Sequence, residues 1–244
     1  MEGLYGIIKA KRPETPPTDL LRVPHQNRAL TVAHPAFGPN QFISNITKMQ
    51  EQYSHPQTGK AISFRIPLTL ESISVANYNF KSMAKPEIFD RGWLQLGYLR
   101  KTSKGVFINP PTDETGEVIT SMSLLNSFLK NGNPVNGIYL FDNGFAYAPY
   151  ETFEQGVQDG ETFARGGLAR ALEHTTEQIA KNLQAIASMK NYPHGVDVYG
   201  FDAESSLRVA GLGSYGDLGY GQLIVYGLKQ KSLGYTFGVL DSAE

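Results

Sequence analysis

Three carboxylates, Asp197, Asp202 and Glu204, fall close together in the segment GVDVYGFDAESS. Acids gathered at the end of a strand can hold Mg²⁺, because hard cations take oxygen ligands and paired ions stabilise an in-line phosphoryl displacement. The plainer expectation is a set of surface acids bordering a turn. A second group is the glycine series Gly211, Gly213, Gly219 and Gly221, spaced as G-x-G, five residues, G-x-G. Glycine lets backbone N–H groups approach a phosphate closely, and it equally permits a tight turn in an antiparallel sheet. A third is a basic strip of Lys81, Lys85, Arg91, Arg100, Lys101 and Lys104, interleaved with Phe89, Trp93 and Tyr98. Such a mixture contacts phosphates and stacks bases, or else it is a core strand with solvated lysines at its turn. His25, His34 and His55 each adjoin a proline; three histidines can hold zinc, but separations of 9 and 21 residues match no metal-binding pattern. His174 and Glu177 share a helix face at i, i+3 without a second matching pair.

The glycine series has apolar residues at both x positions and a strand directly after it. It resembles the glycine-rich loop near the C terminus of the CRISPR-associated Cas5 and Cas6 RNA-binding proteins, over about 15 of the 244 residues. That resemblance implies ferredoxin-like domains and RNA binding. Two departures stand against it: residues 207–210 read as strand where those proteins place a helix, and the C-terminal half is acidic. The Phe201-Asp202-Ala203-Glu204 run after a strand is similar to the first motif of DnaQ-type exonucleases. This implies a metal-dependent phosphodiesterase using Asp197, Asp202 and Glu204, although only 40 residues follow Glu204 to supply further acids.

Composition narrows the classes. An apolar fraction of 41% with 18% charged residues is globular, and the chain is long enough to bury a core without a metal or disulfide. The absence of cysteine excludes disulfides, thiolate metal sites and cysteine nucleophiles. No run approaches the roughly 20 apolar residues of a membrane span, so the expectation is a cytoplasmic protein with no membrane partner. The sequence contains no G-x-S-x-G, phosphate-binding P-loop, H-E-x-x-H or C-x-x-C, and no cofactor is expected. Charge is unevenly divided: residues 1–110 carry 14 Lys+Arg against 7 Asp+Glu (+7), and residues 111–244 carry 8 against 16 (−8). That division suits an anionic partner, a head-to-tail contact between copies, or pairing within one fold.

The elements that must position these groups follow from periodicity. Residues 168–190 place Leu168, Leu172, Thr175, Ile179, Leu183 and Ile186 on one helical stripe, predicting a single rod about 34 Å long at 1.5 Å per residue. Six prolines between residues 13 and 39 predict an extended N-terminal arm, after a short first strand at 4–9. Residues 40–53 read as an amphipathic helix and residues 121–130 as a short helix, and residues 70–89 are ambiguous. Residues 93–100 and 105–109 form a predicted hairpin, with Trp93, Gln95, Gly97 and Leu99 on one face and Leu94, Leu96 and Tyr98 on the other. Asp142-Asn143-Gly144 marks a second hairpin, and strands follow at 196–201, 207–210, 222–228 and 235–240. The expected fold is α+β: a largely antiparallel sheet on one long helix, with an arm at 1–39 and one domain at 40–244. The leading functional expectation is a binding or assembly protein that meets itself or another protein. The alternatives are an RNA or single-stranded nucleic-acid binder using Trp93, Arg100, Lys101, Lys104 and the glycines, and a metal-dependent nuclease.

Overall fold

The computed structural model describes residues 19–82, 92–188, 195–202, 204–214 and 222–240, with the side chains of 79–82 excepted. The expected first strand at 4–9, Gly219, Gly221, Lys85, Phe89, Arg91 and the end of the expected long helix lie outside these residues. So do residues 1–18 of the expected arm.

The rest of that arm is sheet. Strands β1 (Asp19–His25) and β2 (Arg28–His34) pair antiparallel over their whole length, from Asp19↔His34 to His25↔Arg28. Pro24 is accommodated because β1 is an edge strand among the described residues, where a missing N–H leaves no ladder bond unmade. The hairpin continues through β16 (Val239–Leu240) to β6 (Phe64–Arg65), giving a four-stranded sheet, and β3 (Phe37–Asn40) joins the larger sheet instead. Helix α2 (Thr69–Ser82), from the stretch of ambiguous periodicity, packs against β1.

A buried ionic cluster joins α2 to the hairpin. Glu71 stands in the first turn of α2 with a fully buried side chain. It accepts from Leu68 N at 2.9 Å, which caps the helix, and from Arg28 at 2.7 Å and both terminal nitrogens of Arg65 at 2.7 and 2.8 Å. Burial pushes its pKa up, yet these donors outweigh it and hold the carboxyl below its usual range. His25, buried beside it and bonded to Ser74 Oγ at 2.9 Å, is held below its usual range chiefly by burial.

The main sheet runs in the order β11 (Gly156–Gln158), β12 (Val196–Tyr199), β14 (Leu223–Leu228), β13 (Leu207–Ser214), β7 (Trp93–Lys101), β8 (Gly105–Ile108), β10 (Ala146–Pro149), β9 (Tyr139–Leu140). Strand β15 (Gly234–Thr236) adds to β7 and carries β3. All these pairs are antiparallel except β12–β14 and β15–β7. The two expected hairpins are present, β7–β8 and β9–β10. A bulge in β7 opposite Ala210/Gly211 corrects the predicted faces. Leu96 and Gly97 follow one another without the ladder step, so Leu94, Leu96 and Leu99 all enter the main core while Trp93 and Tyr98 pack on the opposite face.

The single rod at 168–190 is corrected too. It is two short helices, α5 (Gly167–Leu172) and α6 (Lys181–Ala187), preceded by α4 (Gly160–Arg165). His174, at φ +49°, ends α5: its N–H bonds Ala171 O and the Thr175 N–H bonds Arg170 O, the paired closure of a Schellman turn. Glu173 then folds forward, and its carboxylate accepts from the backbone N–H groups of Asn182 and Leu183 at 3.0–3.2 Å, capping α6 where Ala180 has no side chain to do so. The apolar stripe survives the break: Leu168, Leu172, Leu183 and Ile186 are all in the core, against the inner face of the main sheet. Helices α1 (Phe42–Met49) and α3 (Met122–Asn131) form the opposite layer, α1 through Phe42 and Ile46 and α3 through Leu125.

Because Glu71 has a lowered folded pKa, its contribution is present above its usual 4.5 and is lost as pH falls below that. His25 acts at higher pH, since the unfolded chain takes up a proton below about its usual 6.5 that the folded site resists. Urea titrations across pH should therefore show stability declining in acid in these two windows, and Glu71→Gln should lose about 3 kcal/mol at neutral pH and flatten the lower window.

Candidate binding groove

The turn between β7 and β8, Lys101-Thr102-Ser103-Lys104, is fixed by one hydroxyl. Thr102 Oγ1 accepts from Lys104 N and Gly105 N, each at 3.1 Å, and donates to Gly105 O at 2.8 Å. Gly105 cannot carry a side chain here, since a Cβ would stand 2.6 Å from the Tyr147 hydroxyl. Strand pairing then places Phe107 beside Arg100 and Tyr147 on the outer face. Helix α3 lies over them, with Leu125 buried on the aromatic cluster of Phe107, Phe145 and Tyr147.

Between the turn and α3 is an open groove of about 470 Å³. Its apolar walls are Phe107, Met122, Leu129 and Tyr147; Thr102, Ser103 and Asn126 add polar groups; Lys104 and Lys130 stand at its rim. Both lysines are exposed, and neither makes an ion pair among the described residues. Burial raises the Tyr147 pKa, opposed by its bond with Thr102 and reinforced by Tyr139 and the charge of Glu151. The arrangement can seat an apolar body and attract an anionic group attached to it.

Lys101 points the other way. It is 1% exposed, forms an ion pair with Asp202, and donates to Gly200 O at 3.2 Å. That bond is the foremost reason the Asp202 carboxyl is held below its usual range. Tyr150 Oη donates to Asp202 O at 3.0 Å; burial, then the Asp202 charge, pushes its pKa up to about 12. Of the three expected metal ligands, Asp202 is thus committed to Lys101, and Glu204 pairs with Arg208 at 3.0 Å. Asp197 stands in β12 opposite Val157, its pKa raised by burial. No group of three or more His, Asp or Glu side chains able to hold a metal occurs among the described residues.

The described glycines of the expected phosphate loop have packing roles. They lie within β13, where a Cβ on Gly211 would meet Leu228 at 2.5 Å and one on Gly213 the Trp93 ring at 2.7 Å. Trp93 itself leans on Tyr226, ring centroids 5.6 Å apart, and Arg100 donates to Thr120 O at 3.2 Å. His25 bonds Ser74, and the ring of His55 accepts from Gln57 N and Thr58 N within its own turn.

Of the expected binding residues, only Lys104 lines the groove. Phe107, Met122, Leu129, Lys130 and Tyr147 were not singled out by spacing. The available signal was the Met122, Leu125, Leu129 stripe ending beside Lys130, which marks a helix that sits on aromatic strands yet leaves a cation at its end. Compared with known protein families, with curated proteins and with solved structures, the chain matches none.

Replacing Asp202 with Asn leaves a buried ammonium without its counter-charge. Asp202→Asn should therefore lower stability by about 1–3 kcal/mol in urea or thermal unfolding; unchanged stability would show that Lys101 is satisfied without it.

Proposed function

We propose that this chain is a binding protein, and that its ligand-holding surface is the groove between α3 and the β7–β8 turn. The observation that carries the reading is the pairing of an apolar floor with two unpaired lysines. Lysines at a solvated rim gain little unless an anion arrives, and side chains such as Met122 and Leu129 gain by exclusion from water. The occupant is therefore an apolar group bearing negative charge, presented by a protein partner or a second copy. Phe107 and Tyr147 turn almost no ring surface to solvent, which favours such an occupant over a stacked nucleic-acid base.

Anilinonaphthalene sulfonate, an aromatic body with one anionic group, is a direct probe. Its fluorescence should rise on binding, and Lys104→Glu/Lys130→Glu should weaken that binding by about tenfold, with a similar trend as salt is raised. Equal binding by the variant would contradict the reading.

A further inference from the structure

Resting on the groove as a binding site, we propose that its occupant is the β11 edge of a second copy of this chain. The opposite end of the same sheet carries the complementary chemistry. Among the described residues, strand β11 pairs with β12 on one side only and stands at the end of the sheet. Its central residue, Val157, is 62% exposed, the most exposed large apolar side chain among those described. Directly across the ladder stands Asp197, whose carboxylate makes no hydrogen bond or ion pair among the described residues. Glu154, two residues before β11 begins, is exposed and its carboxylate makes no hydrogen bond or ion pair among the described residues, whereas Asp159 after the strand caps α4 and Glu161 pairs with Arg165 at 2.6 Å.

The two surfaces match in kind. One is a protruding aliphatic group beside the two carboxylates of Glu154 and Asp197; the other is an apolar trough with two cations on its rim. Asp197 lies on the outer face, since its neighbours Val196 and Val198 enter the core, and Phe107 and Tyr147 lie on that face too. From β11 to β8 is five strand spacings, about 24 Å at ~4.8 Å each, so one chain cannot bring its own edge into its own groove. A second copy can. An exposed edge strand invites such a contact, and the charges select its register.

The test is light scattering of the full chain over a concentration series at low and high salt. The mass should rise with concentration at low salt and fall back at high salt. Lys104→Glu/Lys130→Glu should weaken self-association at least about tenfold, and so should Glu154→Lys/Asp197→Lys. Val157→Lys supplies an edge variant that leaves β12 intact, since lysine is well tolerated on edge strands. A chain carrying both sets of charge reversals should regain association, which general damage to the fold cannot mimic. A wild-type chain that stays monomeric at its highest soluble concentration overturns self-docking. If that monomer still binds anilinonaphthalene sulfonate in a Lys104- and Lys130-dependent way, the groove reading stands alone. If it instead retains a labelled single-stranded RNA through those lysines, the groove belongs to nucleic acid and self-docking is overturned. Association unaffected by either set of reversals also overturns it.

Discussion

The arrangement of this molecule depends on a one-residue irregularity in its most central strand. A strand buried on both faces assigns its side chains by alternation, and a shift of one residue exchanges the faces for everything beyond it. In β7 that shift occurs at Leu96–Gly97, opposite Ala210/Gly211. Beyond it, Leu99 and Lys101 turn inward and Tyr98 and Arg100 outward. Without the bulge Lys101 would reach solvent and Arg100 would be driven into an apolar core. Gly97 is required there because a Cβ would lie 2.0 Å from Asn109 Oδ1, and that side chain bonds Thr69 at the start of α2. The same register sets Phe107 and Tyr147 on the outer face, under α3.

A second constraint ties the outer layer to this strand. Asn45 of α1 is fully buried and donates to Gln95 Oε1 at 2.8 Å and Gly234 O at 2.9 Å, while Thr236 Oγ1 donates to Gln95 Oε1 at 3.0 Å. Gln95 Nε2 in turn reaches the carbonyls of Asn40 and Ser232, each at 3.1 Å. Buried amides of this kind are costly unless satisfied, so the network fixes α1, β3 and β15 on β7 in one geometry. Helix α3 has no such tether: Leu125 is its only fully buried residue, and Leu124 is 53% exposed. Of the described α-helices the wall of the groove is thus held by the fewest buried side chains, as a surface that receives a partner often is.

The local grammar was readable where one interaction decides the outcome. Asp142-Asn143-Gly144 turned the chain as its residue types require, with Asn143 at φ +56° and Gly144 at φ +74°, and Lys101 to Lys104 closed a hairpin. The break in the expected long helix has no local signal, because nothing between Leu168 and Lys190 breaks a helix by composition. What divides it is Glu173 turning to cap α6 and His174 adopting a left-handed conformation, choices made by packing against α2 and the sheet rather than by local preference. The bulge was likewise invisible, since Gly97 in an alternating run reads as an ordinary strand residue. The groove has no signature in the sequence, because its lysines lie 26 positions apart and meet only after β8 and α3 have folded. The acids singled out by clustering were close in sequence but took different duties: Asp202 neutralises Lys101 and Glu204 meets Arg208.

The most direct measurement is a titration of the isotopically labelled chain with anilinonaphthalene sulfonate, followed residue by residue through backbone amide shifts. The account expects the perturbed amides to gather at residues 102–107, 122–130 and 147, with the rest of the sheet nearly unmoved. Shifts scattered over the surface, or centred away from α3, would contradict it.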